Sequence, residues 1–405
     1  MLSVEDARAR ILGALTATPA ETVPLPAGWG RVLARPVLAR LTQPPADVSA
    51  MDGYAVRAAD ATLGASLAVI GTAPAGHPFA GAVSPGEAVR IFTGGIIPPG
   101  ADAILLQEDA EASPEGAPGR VRVNQAVRPG RWVRRQGLDF AAGEALLPAG
   151  RRLTARDIGL AAAANTPWLA VHRAPRIGIL ATGDEIALPG DPIPAGGIVS
   201  SNAHALAALV RAGGGEPLVL PIAPDDSQAI AEAAVAARAC DLLVTTGGAS
   251  VGDHDLVQSA LGPQGFALDF WKIAMRPGKP LIWGRLGPTP VLGLPGNPVS
   301  AMVCSVLFLL PALDRLSGLP GDPPRTLRAL AGAPLLENDG RSDHLRATLA
   351  PGPDGTPVAT PFPVQDSSMM KTLARAEALI LRAPGAPALP AGAAVQVISL
   401  RDLGI

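Results

Sequence analysis

The stretch Thr245–Asp255, TTGGASVGDHD, concentrates more potential chemistry than any other part of this chain. It follows a short apolar run, Asp241–Val244, that reads as a buried parallel strand. A strand ending in Thr-Thr-Gly-Gly leaves its sheet through a turn with almost no side-chain bulk, so the backbone N–H groups of Gly247, Gly248 and Ser250 can approach an anion closely. Asp253 and Asp255 then enter the same loop. Anion-accepting backbone beside paired carboxylates is the chemistry of a phosphate-plus-divalent-cation site. The plainer alternative is an ordinary strand-to-helix turn; the carboxylates favour function over it.

A second loop of this kind lies upstream, where the apolar run Arg176–Ala181 ends in Thr182-Gly183-Asp184-Glu185. Between the two loops the pattern predicts a helix over Asn202–Ala212, a strand over Pro217–Ile222 and a helix over Ser227–Arg238. Alternation of this sort predicts a doubly wound parallel sheet, whose ligands bind beyond the carboxyl ends of its strands. Both acidic, Gly-rich loops follow such ends, so they converge on one crevice.

Further loops carry reactive side chains. SAMDGYA (49–55) sets Asp52 between Met51 and the only tyrosine, Tyr54; an apolar collar around one carboxylate is costly on a free turn, although Asp-Gly suits turns in general. FTGG (92–95) brings Thr93 to a strand end, and Gly137-Leu138-Asp139 follows the basic Arg131–Arg135 cluster; turn chemistry alone accounts for either. In WKIAMRPGKP (271–280), Lys272, Arg276 and Lys279 surround a Pro-Gly break, so they need not all point outward. A charge run is usually a solvated face, but cations near the acidic loops suit a site that holds a polyanion and a metal together. LPGNPVS (294–300) reads as a turn at Pro295-Gly296 with Asn297 as N-cap and Pro298 at the first helical position, the helix start facing the same crevice.

Composition sets the frame for these motifs. A chain of 405 residues has room for several domains, and 48% apolar content supports packed cores. With only 3% aromatics, those cores are aliphatic. A net charge of −2 gives no basic excess for nucleic acid. Cys240 and Cys304 have no CxxC partner and read as reduced thiols. The N-terminus reads as an amphipathic helix over 1–16, with Leu2, Ala9, Leu12 and Leu15 on its apolar side, not as a signal peptide. The most apolar run, Val299–Leu310, is too short to span a bilayer before Pro311. A cytoplasmic location, with no membrane partner, is expected. Scattered histidines argue against zinc, and no Walker A or GxGxxG pattern occurs.

These elements predict four domains. Residues 1–40 and 141–172 form an elongated, segment-swapped linking domain, and 41–140, with strands at Leu67–Ile70, Ala88–Phe92, Ala103–Leu106 and Arg120–Val123, form an inserted small β-domain. Residues 173–318 are the doubly wound α/β domain, ending in a helix from Pro298 to about Leu316. The Pro/Gly-rich segment after it opens a β-domain over 319–405.

Taken in order, SAMDGYA, IFTGG, RQGLDF, ATGDEI, TTGGASVGDHD, KIAMRPGKP, LPGNPVSA and SSMMKTLARA resemble the MoeA family, the bacterial counterparts of the gephyrin E domain. The resemblance covers essentially the whole chain. It implies a molybdopterin molybdenumtransferase that converts adenylylated molybdopterin and molybdate to molybdenum cofactor, releases AMP and requires Mg2+. It also implies a MogA-like α/β domain, a C-terminal β-barrel-like domain, and a homodimer whose cleft is completed by the partner's inserted domain. Further partners it implies are the upstream adenylyltransferase and molybdoenzyme chaperones.

By motif, the resemblance implies catalytic roles for Asp52, Thr93, Asp139, Glu185, Asp225 and Asp255. It implies substrate binding by Thr182, Gly183, Asp184, Gly247, Gly248, Ser250, Lys272, Arg276, Lys279, Pro295, Gly296, Asn297, Pro298, Arg346 and Ser367, and metal binding by Asp184, Glu185 and Asp255. Two positions depart from the family pattern. Arg276 replaces a usual lysine, exchanging a compact ammonium for a planar fork that would change the grip on an anion, and His344 stands where an aromatic is common. The competing readings are a molybdopterin adenylyltransferase, which the α/β domain alone resembles, and a gephyrin-like scaffold. The additional domains oppose the first; the lack of a long linker opposes the second.

Overall fold

The computed structural model describes residues 1–113, 119–247, 260–352 and 354–404. The first helix, Val4–Gly13, starts at Ser3, whose Oγ accepts from the Asp6 N–H at 3.0 Å. Glu5 and Asp6 in the first turn and Arg10 in the last suit the helix dipole. Its buried stripe is Val4, Ala7, Ile11 and Leu15, not the expected Leu2, Ala9, Leu12 and Leu15 side. Ala9 is exposed, because a 3.6-residue period carries 4, 7, 11 and 15 to one face.

Strand Ala20–Pro24 pairs antiparallel with Trp168–His172, and Val37–Leu38 with Ala145–Leu147. Segments from either side of the β-rich region are thereby joined, and Val23, Leu33, Leu147, Leu153 and Val171 share one core. Thr154 opens helix Ala155–Ala163 with a capping box, its own N–H donating to Asp157 Oδ2 at 2.8 Å. Between these segments lies a six-stranded mixed sheet. Its strands Ser66–Ala73, Glu87–Ile91, Ala103–Leu106 and Arg120–Val123 overlap the four runs read as strands, and Gly53–Val56 lies between Glu87–Ile91 and Ala103–Leu106.

The α/β layer is built on a second six-stranded sheet. Its parallel half runs Glu216–Val219, Arg176–Ala181, Leu242–Thr246, Thr289–Leu294 across the sheet. From Arg176–Ala181 the chain goes out to one side through helix Asn202–Ala212 and returns to the other through helix Ser227–Ala236, so a topological switch point lies between Arg176–Ala181 and Leu242–Thr246. The sheet is mixed, not wholly parallel. Ile282–Leu286 joins Thr289–Leu294 through the short turn at Gly287 (φ 59°), and Phe266–Trp271 adds antiparallel outside it. A connection that short permits only an antiparallel neighbour.

One rod then runs from Pro298 to Leu316: α-helix to Cys304, a wider π-helical turn over Ser305–Leu309, and α-helix again. Pro311 lacks an N–H and needs room against the preceding turn, which the wider turn provides. The rod is long and apolar enough to cross a membrane, yet it is mostly buried; Val299, Val303, Phe308 and Leu313 sit in a core shared with the first helix and the sheet. Residues after it form a closed five-stranded barrel: Thr326–Ala331, Ser342–Pro351, Pro357–Pro361, Ala378–Arg382 and Ala394–Ser399. Strand Met275–Arg276 pairs parallel with Ser342–Asp343 and so attaches the barrel to the α/β layer.

Candidate active site

A cleft of about 1060 Å³ opens where the carboxyl ends of the central strands meet the barrel. Glu185, Gly247, Arg276, Lys279, Pro295, Gly296, Asn297, Pro298 and Ser367 line it. Residues from five distant motifs therefore meet at one place, as the switch point requires.

The acidic side is built on Gly183. Its N–H donates to Ala223 O at 3.1 Å and its φ is +146°; a Cβ there would lie 2.6 Å from the Glu185 carboxylate, which folds back over it. Asp184 Oδ1 accepts the Asp225 N–H at 3.0 Å. Burial, then the charges of Glu185 and Asp184, push the Asp225 carboxyl above the usual carboxylate range. This mutual repulsion is the sign of field that a cation relieves, so the donor chemistry suits Mg2+. Among the described residues, however, no three such side chains stand close enough to enclose an ion. Asp255, with Gly248 and Ser250, lies outside the described residues. Thr182 is almost wholly buried, its N–H on Thr246 O and its hydroxyl without a partner among the described residues.

The cations divide in an unexpected way. Arg276 does not hold its fork open for a ligand. Its Nε donates to Asp343 Oδ1 at 2.8 Å, its Nη2 to Asp343 Oδ2, and Nη1 reaches Asp339 at 3.5 Å. Asp343 is only 4% exposed, and the register that pairs Arg276 with Asp343 delivers the two together. The fork that the sequence offered for gripping an anion thus meets the cleft already paired with carboxylates. Lys272, unlike Arg276, does not line the cleft: its backbone adopts φ 70° and its Nζ lies 3.5 Å over the Trp271 ring. Lys279 lines the cleft and makes no ion pair among the described residues. Arg341, which sequence reasoning passed over, also lines it, held by Asp339 at 2.7 Å.

Asn297 stands at the N-cap position, but its side chain makes no capping bond. Its Nδ2 donates instead to Ser367 Oγ at 2.8 Å, and the Ser367 carbonyl accepts the Val299 N–H at 3.0 Å. Arg346, 1% exposed, sits behind the loop carrying Ser367. Its N and Nε donate to Gln365 Oε1 at 3.0 and 3.1 Å and its Nη1 to Asp366 O at 2.6 Å; Nη2 has no partner among the described residues. Burial lowers the Arg346 pKa. Asn202 is a second residue missed in the sequence. As the first residue of its helix it reads only as a helix start, yet it lines the cleft with its amide on two loops.

Asp52, Thr93 and Asp139 lie on the β-rich insertion and do not line the cleft of their own chain. Asp52 Oδ1 accepts from Thr93 N at 2.7 Å and Thr93 Oγ1 at 2.8 Å, and the backbone donor, first, holds the Asp52 carboxyl below its usual range. Arg90 is sandwiched 5.0 Å from both the Tyr54 and Phe92 rings, with Nη1 on Gly53 O. Gly53 admits no side chain, since a Cβ would fall 2.1 Å from Leu105 O. Asp139 is exposed, its N–H on Gln43 O at 3.0 Å.

A doubly wound layer joined to a closed barrel, with acidic and cationic loops around one cleft, places this chain among multidomain α/β-plus-barrel proteins whose cleft chemistry suits an anionic ligand. Residues 2–165 match the MoeA N-terminal region (domain I and II), 178–315 a probable molybdopterin binding domain, and 328–400 the MoeA C-terminal region (domain IV). The chain is 40% identical to a molybdopterin molybdenumtransferase of a Nostoc species, over 74% of this chain and 70% of that one. It is 32% identical to that of Bacillus subtilis, over 99% and 94%. It also superposes on the molybdopterin biosynthesis MoeA protein of Pyrococcus horikoshii with a TM-score of 0.85 and 28% identity, covering 98% and 99% of the two chains. The chain belongs to the molybdopterin molybdenumtransferase family.

Proposed function

We propose that this chain inserts molybdate into adenylylated molybdopterin, releasing AMP and giving molybdenum cofactor. The observation that supports it is the cleft itself, which Lys279, Arg341 and Glu185 line together, with the charges of Glu185 and Asp184 felt by Asp225. The substrate is a phosphorylated pterin and the second substrate an oxyanion, so cations are needed to hold them. Among the carboxylates with shifted pKa values, Asp225 is raised and is the better proton acceptor, while Asp52 is lowered and serves to orient donors.

In this reading Asp184, Glu185 and Asp255 hold Mg2+, which supplies charge neutralisation at the departing adenylate when bound. The working unit is a homodimer, in which Asp52, Thr93 and Asp139 of a second copy complete the cleft. Support for that comes from their position on the insertion, apart from their own chain's cleft. The adenylyltransferase that makes the substrate and the chaperones that receive the product are its further partners. Two unbridged cysteines, Cys240 and Cys304, support a cytoplasmic location. An adenylyltransferase and a scaffold are the weaker readings, since the family match extends over three regions of the chain.

The test is turnover. Purified protein with adenylylated molybdopterin, molybdate and Mg2+ should release AMP and yield cofactor that activates an apo-molybdoenzyme. No release, or equal release without oxyanion, overturns the reading; a parallel series with tungstate identifies the preferred oxyanion. Glu185→Ala and excess chelator should each abolish most release.

A further inference from the structure

The parallel ladder between Leu242–Thr246 and Thr289–Leu294 ends at the pair Thr246–Leu294. Beyond it, Gly247 and Pro295-Gly296 have no ladder to fix their separation, although both line the cleft. A third element spans the gap. Asn202 Nδ2 donates to Thr246 Oγ1 at 2.8 Å and to Gly296 O at 2.7 Å. A backbone carbonyl only accepts, so the Gly296 contact fixes which end of the amide is nitrogen, and both Nδ2 hydrogens are used.

The two anchors are themselves tied further. Thr246, 2% exposed, takes the Thr182 N–H on its carbonyl, and Gly296 adjoins Asn297, whose amide reaches Ser367 on the barrel side. One side chain therefore couples the Thr182 loop, the Gly247 loop and the Pro295–Asn297 loop. Gly296 is also packed closely enough that a Cβ there would lie 3.5 Å from Gly247 Cα. The separation of these loops is the width of the crevice floor.

We infer that Asn202 is a positioning residue for the reaction, its carboxamide locking the Gly247 and Gly296 loops at the spacing the substrate needs. It acts through those loops, and no contact of its own with substrate is required. A fixed spacing of this kind matters most in the transition state, because small displacements of positioning groups are costly to rate. The inference rests on the function proposed above, and its test has one readout that does not.

Asn202→Ala removes both hydrogen bonds. It should lower kcat for AMP release roughly tenfold to hundredfold, the equivalent of two neutral hydrogen bonds, with a much smaller change in KM. Amide exchange at Gly247, Gly296 and Asn297 should accelerate while exchange in the strand cores stays as in the wild type. Asn202→Asp is nearly isosteric, but ionised it cannot donate and it faces the Gly296 carbonyl. Its kcat relative to wild type at the same pH should therefore rise as pH falls toward the carboxyl range, where one O–H donor returns. Wild-type kcat in Asn202→Ala, wild-type exchange at the three glycine-loop amides, or a pH-independent ratio for Asn202→Asp overturns the inference. Absence of turnover in the wild type would overturn the proposed function instead, and the exchange measurement would still decide the role of Asn202.

Discussion

Asn297 and Ser367 hold one another across two layers of the molecule: the Asn297 amide donates to Ser367 Oγ at 2.8 Å while the Ser367 carbonyl accepts the N–H of Val299, two residues after Asn297, at 3.0 Å. The start of the buried rod is thus capped by the barrel-side loop and not by its own N-cap side chain. Anything that moves that loop moves the floor of the cleft. Arg346, buried behind the same loop and bonded to Gln365 and Asp366, sets where it lies.

Ser367→Ala should therefore have a larger effect on activity than on stability. It removes one neutral hydrogen bond, about 1 kcal/mol, and leaves the carbonyl that caps Val299. The thermal midpoint should fall by only about 1–2 °C, while AMP release drops about tenfold or more; Ser367→Thr, which restores a hydroxyl, should recover most of it. Equal loss in the Thr and Ala variants would show that the hydroxyl is not what positions Asn297.

Arg276→Lys separates a structural from a ligand-binding role. The guanidinium is bidentate on nearly buried Asp343, and an ammonium cannot reproduce that fork. Stability should fall by about 1–3 kcal/mol, the scale of a charge-assisted hydrogen bond left poorly replaced, read as a lower thermal midpoint. Molybdate affinity, measured by calorimetry, should change less than for Lys279→Ala. A variant with wild-type thermal stability and weakened anion binding would return Arg276 to the ligand.

Much of this was legible in the chain because it rests on local rules. The alternation around Asn202–Ala212 and Ser227–Ala236 has the period of a doubly wound layer, and the glycines at 183 and 247 mark loops with positive φ. What was not legible depends on register between distant segments. Nothing in WKIAMRPGKP announces that Arg276 will lie opposite Asp343; the parallel pairing of Met275–Arg276 with Ser342–Asp343 brings that about. Asn202 was hidden for a related reason, since its two acceptors, the end of one strand at Thr246 and the loop residue Gly296, are distant from it in sequence. The antiparallel edge of the central sheet was missed because apolar runs such as Ile282–Leu286 carry no sign of strand direction.

His344 makes a pH prediction. Burial holds its pKa down to about 4, against an ordinary value near 6.5, while backbone groups of Arg276 and Ser342 act weakly the other way. The folded state keeps this imidazole neutral where the unfolded chain already binds a proton. Between about pH 6.5 and 4 the unfolded state is therefore favoured as pH falls, and stability is fully present only above that window. The cost at its acidic end is roughly 3 kcal/mol. His344→Phe removes the titrating group and keeps a ring in the cavity. Its thermal midpoint should exceed that of the wild type at pH 4.5 and differ far less at pH 8. Parallel curves for the two proteins across that range would show that His344 does not contribute to acid instability.

The proposal that two copies share each cleft yields a complementation experiment. Asp52, fixed by Thr93 on the insertion, and Glu185, folded over Gly183 at the cleft, lie in separate parts of one chain. If each working site takes Glu185 from one copy and Asp52 from the other, neither Asp52→Ala nor Glu185→Ala homodimers have an intact site. A mixed dimer has one site carrying both lesions and one carrying neither. Random association makes half of all dimers mixed, so co-expressed variants should recover about a quarter of wild-type AMP release, by the symmetry of a two-fold interface. Tagging the two variants differently and purifying through both tags should raise that to about a half. If both residues served the same site from a single chain, every site in the mixture would carry one lesion. The doubly purified protein would then stay as inactive as either parent, and the assignment of Asp52 to a neighbouring copy's cleft would fall.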